Sequence, residues 1–170
     1  MTNAPNEEVD IKFLTDFLFT PNGIEARRFT DIETKTGKTP DFKLFIDGIF
    51  VAYCELKSPR DDWLQEQSAK SSPEGIYGGA RDDSIFNKIR KHVKKAAKQF
   101  EAIDPNCKHA HILIFLNHND MSDKLDFFTA MNGVDIDDVP AAPRASKSAR
   151  MATAWIDLVI WIDKDDCATS

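Results

Sequence analysis

Two acidic residues and one lysine in the first half of the chain have side chains suited to chemistry on phosphate groups. They are Asp41, Glu55 and Lys57. A hard divalent cation such as Mg²⁺ prefers oxygen ligands and usually takes one or two carboxylates together with water and substrate phosphate. Asp41 and Glu55 are therefore candidate ligands for Mg²⁺, or for Mn²⁺ in its place, if the fold brings them together. The ammonium of Lys57 could then orient an attacking water or offset charge on the phosphate.

A predicted β-hairpin over residues 42–56 must position these side chains. The dipeptide Asp47-Gly48 at its centre is a strong turn signal, and two turn geometries fit it. A two-residue turn puts Asp41 and Glu55 on opposite faces of the ribbon. A three-residue loop, with Gly48 left-handed in a bulge, puts the two carboxylates on the same face.

The apolar pattern of the hairpin selects between the two geometries. The three-residue loop pairs Phe45 with Ile49 and gathers six apolar side chains on one face. These are Phe42, Leu44, Phe50, Ala52, Cys54 and Leu56. Because a slip of one residue would turn this set toward solvent, we predict the three-residue loop. The other face then carries Asp41, Lys43, Phe45, Ile49, Val51, Tyr53, Glu55 and Lys57.

The rest of the pattern predicts an α/β protein that forms one domain over residues 1–170. Apolar spacing predicts helices over residues 7–19, 82–100 and 122–132, the last capped by Ser122. Strands are predicted over residues 27–34, 111–116 and 155–162. The strand over 111–116 is uniformly apolar, so we expect it to be buried on both faces. A short helix over 61–70 is expected within a long polar loop, 58–80.

The motif and its setting resemble those of the PD-(D/E)xK nuclease superfamily. The matching residues are Pro40-Asp41 and Glu55-Leu56-Lys57. In that family the first acid begins the second strand, and Glu-x-Lys ends the third strand before a helix. The same placement is predicted here, and the resemblance covers most of residues 7–162. The resemblance implies a restriction-endonuclease-like core, with a mixed central sheet flanked by helices. It also implies a Mg²⁺-dependent nuclease with Asp41 and Glu55 as ligands and Lys57 as catalytic amine.

Many members of the family add an acid from the first helix. Glu7, Glu8 and Asp10 are candidates here, and Glu25 lies just beyond, but the sequence selects none of them. The resemblance implies a metal-dependent endo- or exonuclease, and our first hypothesis is endonucleolytic cleavage of DNA. RNA cleavage by the same chemistry and a non-catalytic nucleic-acid or protein-binding module are the alternatives. A homodimer or a targeting partner protein would fit a chain without an evident sequence-reading domain.

The helix over 82–100 is predicted to carry a cationic stripe opposite its apolar face. Its lysines are Lys88, Lys91, Lys94, Lys95 and Lys98, joined by Arg90. In a chain of net charge −6 this concentration of cations suits contacts with a phosphate backbone, although a solvated helix face is the alternative. Residues 134–150 are predicted to be a loop whose cations either close over nucleic acid or serve as a soluble linker. Those cations are Arg144, Lys147 and Arg150.

Other residues that could do chemistry are expected to have structural roles. Three histidines flank the strand over 111–116 without the spacing of a zinc site; they are His109, His111 and His118. The segment His118-Asn119-Asp120 could still border a cleft at the strand end. We expect His92 to be exposed and the aromatic rings of Tyr53, Trp155 and Trp161 to pack within the fold. With three cysteines, no secretory signal and apolar runs too short to span a bilayer, we expect a cytoplasmic protein that does not enter membranes.

Overall fold

A computed structural model describes residues 7–35, 37–59, 84–118, 123–132, 134–136, 139–142 and 147–163. The α-helices are α1 (Glu7–Leu14), α2 (Asp31–Lys35), α3 (Ser84–Ile103), α4 (Lys124–Asn132) and α5 (Lys147–Ala152). The strands are β1 (Ile24–Arg28), β2 (Phe42–Ile46), β3 (Ile49–Lys57), β4 (Ala110–Asn117), β5 (Val134–Ile136), β6 (Val139–Ala142) and β7 (Leu158–Asp163). The predicted short helix over 61–70 lies outside the described residues.

Five of the strands form one mixed sheet in the order β1-β2-β3-β4-β7. β1, β2 and β3 are antiparallel neighbours, whereas β3, β4 and β7 run parallel. Because α3 lies in the chain between the parallel strands β3 and β4, the central unit is a β-α-β crossover. β5 and β6 form a separate antiparallel pair. The predicted α/β class, with a mixed sheet and helices, is confirmed.

The sheet separates two apolar clusters. The α3-side core contains the buried face of α3 with Leu113 and Phe115 of β4, and α4 and α5 contribute to it. The α1-side core joins Leu14 of α1 to Ile114 and Leu116 of β4. Because alternate residues of β4 enter the two cores, the prediction that this strand is buried on both faces is confirmed. The predicted apolar face of α3 is confirmed as well, since Ile85, Ile89, Val93, Ala96, Ala97 and Phe100 are all buried.

The first helix follows its prediction in extent but not at every side chain. α1 continues as a π-helical segment, Thr15–Phe19, and ends through a 3₁₀ turn at the left-handed Gly23. Leu14 is buried, but Val9 and Phe17, which share the helical apolar spacing of this segment, are exposed. The change to π-helical geometry shifts the facing of residues after Leu14, which explains the exposure of Phe17.

The predicted strand over 27–34 is wrong. β1 ends at Arg28, and α2 occupies much of the predicted range. The backbone N–H of Thr30 donates to Glu33 Oε2 across 2.9 Å, and the N–H of Glu33 faces Thr30 Oγ1 at 3.4 Å. This reciprocal pair is a capping box, which starts a helix at a place where the apolar pattern is weak.

The C-terminal elements also differ from their predicted bounds. The last strand begins at Leu158, because residues Thr153–Trp155 form a 3₁₀ turn. Asp123 caps α4, since its Oδ1 accepts the N–H of Leu125 across 2.7 Å; the predicted cap, Ser122, lies outside the described residues. The loop predicted over 134–150 instead contains β5, β6 and the start of α5.

The turn between β2 and β3 has two residues, so the predicted three-residue loop is wrong. Ile46 pairs with Ile49 across it. The central residues Asp47 and Gly48 have φ angles of 52° and 77°. Positive φ at both central positions is the signature of a type I′ turn, which Asp-Gly favours because its twist matches that of the strands.

The irregularity expected in the loop lies inside the strands instead. The register shifts between Leu44 and Phe45, which leaves Val51 of β3 as the extra residue of a β-bulge. Because of the bulge, Phe50 and Val51 lie on the opposite faces of the sheet from those predicted. Phe50 contacts Tyr53 at 4.8 Å between ring centroids, whereas Val51 packs against the α1-side core. Beyond the bulge the predicted apolar face is confirmed, with Phe42, Leu44, Ala52, Cys54 and Leu56 in the α1-side core.

Candidate active site

The start of β2 and the end of β3 bring the three residues of the motif together. Phe42 pairs with Cys54, so extending the antiparallel register by one residue sets Asp41 opposite Glu55. Lys57 follows two residues later in the same strand and contacts the carboxylate of Glu55. The bulge at Val51 makes this possible, because an unbroken register from the two-residue turn would have paired Asp41 with Cys54.

Glu55 is fully buried and accepts hydrogen bonds from two donors. Lys57 Nζ donates to Oε1, and Gln99 Nε2 of α3 donates to Oε2 across 3.0 Å. Because both partners are donors, these contacts favour the ionised carboxylate. Burial and the charge of Asp41 act in the opposite sense and raise the pKa of Glu55 to about 7. The site therefore holds a carboxylate that is costly to ionise in the absence of a further cation.

Asp41 is held by the backbone of the neighbouring strand. Its Oδ2 accepts the N–H of Leu56 across 2.7 Å, and the residue is half-buried. A carboxylate with one oxygen anchored in this way keeps a fixed orientation beside Glu55. The preceding Pro40 is buried.

Among the acids near the first helix, the structure places Asp10 at the site. Asp10 is 1% exposed, and its Oδ2 accepts the hydroxyl of Ser58 across 3.0 Å. Glu7 is mostly exposed and pairs with Arg28. Glu8 is exposed, and Glu25 pairs with Arg27 on the surface. The burial of a carboxylate at the strand end distinguishes Asp10 from these three acids.

A cleft of about 480 Å³ opens where α1 meets the ends of β2 and β3. It is lined by Glu7, Asp10, Ile11, Asp41, Phe42, Leu56, Lys57, Ser58 and Lys95. Three acids, Glu7, Asp10 and Asp41, thus line one space with the cations Lys57 and Lys95, and of the three Glu7 is mostly exposed and paired with Arg28. Glu55 contributes to this site from its buried position, through its contact with Lys57.

The lysines predicted to form a cationic stripe differ in their exposure. Lys91, Lys95 and Lys98 are exposed, whereas Lys88 and Lys94 are half-buried. Lys95 is the member of this set that lines the cleft. Arg90, expected in the stripe, donates from Nε to the carbonyl oxygen of Ala130 across 2.6 Å and so ties α3 to α4.

His92 is half-buried, and the expectation that it is exposed is wrong. Its ring lies edge-on to Phe115, with 6.4 Å between ring centroids. Burial, followed by the charges of Lys57, Lys95 and Lys91, lowers the pKa of His92 to about 4. The ring is therefore neutral at neutral pH.

Sequence reasoning missed Gln99 and Ser58. Gln99 lies beside Ala96 and Phe100 on the face of α3 that the apolar stripe predicts to be buried. It donates to the carbonyl oxygen of Thr39 across 2.7 Å as well as to Glu55. A polar residue on a buried face was the available signal, because buried amides need partners. Ser58 follows the motif directly, and its type alone carried no signal.

The other candidates have packing roles or lie outside the described residues. Tyr53, Trp155 and Trp161 pack against the α3-side core, as predicted. His111 is buried at the far end of β4, with Nδ1 donating to the carbonyl oxygen of Trp155 across 3.0 Å. Arg150 is exposed on α5. Arg144, Asn119 and Asp120 lie outside the described residues, as does the side chain of Lys147.

The carboxylates of this site are of the type that binds a hard metal ion. Within the described parts of the chain there is no group of three or more His, Cys, Asp or Glu side chains arranged to hold one. Mg²⁺ does not require such a group, because one or two carboxylates with water and phosphate suffice. Asp41 and Glu55 supply two carboxylates. Burial, followed by the charge of Asp41, raises the pKa of Glu55, and a bound cation would favour its ionised form. The chemistry of these donors therefore fits a hard divalent cation.

No protein-family model, curated protein or solved structure gives a significant match to this chain. In the part of the chain that the structure describes, no helix combines the length and apolar character needed to cross a membrane.

Proposed function

We propose that this protein is a Mg²⁺-dependent nuclease of the restriction-endonuclease-like fold, which hydrolyses phosphodiester bonds of DNA as an endonuclease. The observation that carries the proposal is the meeting of Asp10, Asp41 and Lys57 in one cleft, with Glu55 in contact with Lys57. These residues come from α1, the start of β2 and the end of β3. Acids and an amine gathered from three elements are the groups that phosphoryl transfer needs.

Asp41 and Glu55 would hold the Mg²⁺ ion, and Asp10 lines the same cleft as Asp41. When bound, Mg²⁺ supplies positive charge that stabilises the negative charge developing on the phosphate. Its binding would also favour ionised Glu55, whose pKa is raised by burial and by Asp41. Gln99 and Lys57 keep the Glu55 side chain oriented before that happens.

Lys57 is the candidate catalytic amine. It is 11% exposed and lines the cleft, so its ammonium can reach a phosphate there. Its contact with Glu55 places the ammonium where charge would develop during hydrolysis, and a nearly dry environment strengthens that interaction. Lys57 therefore either orients the attacking water or stabilises charge on the phosphate.

Lys95 extends the positive side of the cleft toward the exposed surface of α3. With Lys91 and Lys98 it forms a set of exposed cations on a helix that borders the site. Lysines of this kind bind phosphates without reading base sequence. This supports a nucleic-acid backbone as the substrate and predicts weak sequence preference.

The order of elements around the motif supports the restriction-endonuclease-like fold. An antiparallel β1-β2-β3 unit is followed by α3 and then by the parallel strand β4. The first acid precedes β2, and Glu55 and Lys57 end β3. This is the placement that the resemblance implies.

The test is cleavage of plasmid, linear duplex and single-stranded DNA with Mg²⁺, and an RNA substrate is digested in a parallel assay. Asp41→Ala and Lys57→Ala should each reduce the single-turnover rate by at least about 100-fold, because each removes a group at the reacting phosphate. The matched controls are Asp16→Ala and Lys12→Ala, which break an exposed ion pair on the first helix. Wild-type rates for both site variants would reject the assignment. Cleavage of RNA alone would change the substrate but keep the site.

One observation favours a second candidate, a nucleic-acid or protein-binding module without catalysis. The Glu55 carboxylate already contacts Lys57 and accepts a hydrogen bond from Gln99. Such a site could be stable without metal. Calorimetry that shows DNA binding but no Mg²⁺ binding would favour the module over the nuclease.

A further inference from the structure

His118 lies just beyond the end of β4, beside the candidate site. The parallel strands β3 and β4 end at the same edge of the sheet, with Lys57 paired to Phe115. Ser58 follows β3 at that edge, as His118 follows β4. α1 places Asp10 at the same edge, where its carboxylate contacts Ser58 after β3 and His118 after β4.

The contacts of Asp10 with these residues are close and well buried. His118 Nε2 lies 3.0 Å from Oδ1 and 3.0 Å from Oδ2 of Asp10. The Ser58 hydroxyl donates to Oδ2 across 3.0 Å. The side chains of Asp10 and His118 are only 2% and 14% exposed. Since an ionised carboxylate can only accept, Nε2 of His118 is the donor in its contact with Asp10.

We propose that His118 is a positioning residue, which fixes the carboxylate of Asp10 in the cleft that Asp10 shares with Asp41. The inference rests on the proposed function, because the negative charge of Asp10 on the cleft wall would act on a hydrated cation bound in that cleft. Asp10 comes from a helix, whereas Asp41 and Glu55 belong to the β2–β3 ribbon. The contact with His118 at the sheet edge therefore ties Asp10 of the helix to the sheet that carries Asp41 and Glu55.

The size of the expected effect follows from the behaviour of hydrogen bonds that orient metal-binding groups. Removing such a partner typically reduces metal affinity or activity by about 10- to 100-fold. The effect should depend on Asp10, because His118 acts through that carboxylate. Two groups that act through one another give a non-additive double mutant, whereas independent groups add.

His109 provides a matched control at the opposite end of β4. Its Nδ1 lies 3.5 Å from Oδ2 of Asp104, so it too is a histidine beside a buried acid. It does not border the cleft formed by Asp10 and Asp41. Replacing His109 therefore changes a histidine–carboxylate contact without touching the site.

The experiment measures Mn²⁺ binding by electron paramagnetic resonance of the free ion, together with Mg²⁺-dependent DNA cleavage. The variants are His118→Ala, His118→Gln, Asp10→Asn, the Asp10→Asn/His118→Ala double variant and His109→Ala. Glutamine carries an N–H near the position of imidazole Nε2, so it can restore the bond to Asp10. Thermal unfolding of each variant tests whether the fold is kept.

The inference predicts that His118→Ala raises the Kd for Mn²⁺ about tenfold. His118→Gln should recover most of that loss, and His109→Ala should bind as wild type. In the Asp10→Asn background, His118→Ala should change Kd by less than about twofold.

The inference is overturned if His118→Ala binds Mn²⁺ as wild type does, or if it loses the same Mn²⁺ affinity in the presence and absence of the Asp10 carboxylate. In either case, cleavage that depends on Asp41 would still support the nuclease assignment. A loss that His118→Gln does not recover also overturns it. A wild-type protein that neither binds Mn²⁺ nor cleaves nucleic acid rejects the proposed function, and the inference with it.

Discussion

Asp41 and Glu55 lie opposite one another at the end of the β2–β3 ribbon, and Glu55 is fully buried. Burial and the neighbouring negative charge raise the pKa of Glu55 to about 7. A carboxylate held in this way destabilises the fold when it is ionised, which is a property expected of a site built for a ligand. An ordinary surface ion pair would not have it.

Glu55→Gln should therefore stabilise the metal-free protein at pH 8. An unfolded Glu55 ionises near pH 4.5, whereas the folded one keeps its proton until about pH 7. Because the folded state binds more protons in this window, wild-type stability falls as pH rises from 4.5 to 7 and then levels off. The variant lacks this loss, so its advantage at pH 8 is about 3 kcal/mol at most and vanishes below pH 4.5. Urea denaturation at pH 4 and pH 8 measures it.

Glu33→Gln is a control with the opposite sign. The hydrogen bond from Lys43, with those from Thr30, lowers the pKa of Glu33 to about 2. That carboxylate stabilises the fold above pH 4.5 and loses its effect as pH falls toward 2. Glu33→Gln should be less stable than wild type at pH 8. If Glu55→Gln also lost stability at pH 8, the ion pair of Glu55 with Lys57 would be a structural one that stabilises the fold.

Mg²⁺ should raise the thermal unfolding temperature of the wild type, because a ligand that binds the folded state stabilises it. Its apparent affinity should increase between pH 5.5 and 7.5, since binding must displace the proton of Glu55. Chelation with EDTA should reverse the shift. Asp41→Asn and Glu55→Gln should remove it, and an equal Mg²⁺ shift in both variants would place the cation elsewhere.

Lys57→Met should raise the pKa of His92. Burial is the largest cause of its low pKa, and the charge of Lys57 comes next, ahead of Lys95 and Lys91. Removing one cation should therefore move the pKa up from about 4, while burial keeps it below the usual 6.5. NMR titration of the His92 ring measures the change. An unchanged pKa would mean that Lys57 does not lie near this part of α3.

Lys95→Ala should weaken DNA binding at every sequence tested and reduce the slope of log K against log salt by about one. The reason is that Lys95 is an exposed cation which also lines the cleft. Lys12→Ala, on an exposed part of α1, is the matched control and should leave the slope unchanged. Fluorescence anisotropy at several salt concentrations, with Ca²⁺ replacing Mg²⁺, gives both values. Equal slopes for Lys95→Ala and wild type would mean that Lys95 of α3 does not contact the DNA backbone.

Periodicity was informative where burial decides the structure. The apolar stripe of α3 and the uniformly apolar β4 were predictable because each matches a single pattern of exposure. The convergence of Asp41 with Glu55 was also predicted, although for an incorrect reason. The apolar pattern required one extra residue in the hairpin. It did not show that this residue is Val51, inside β3, and not a third residue of the turn.

Local hydrogen bonding and long-range contacts were beyond the reach of periodicity. The capping box of Thr30 and Glu33 starts α2 where a strand was expected. The choice of Asp10 over its neighbours depends on contacts with Ser58 and His118, the second of them 108 positions away in the chain. Only the packing of α1 against the strand ends determines that choice.

The most direct test of the central claim is anomalous diffraction from crystals of the protein soaked in Mn²⁺. The account predicts an anomalous peak in contact with the carboxylates of Asp41 and Glu55. A map from saturated crystals with no peak at these carboxylates, and with Glu55 still bound by Lys57 and Gln99, would contradict it.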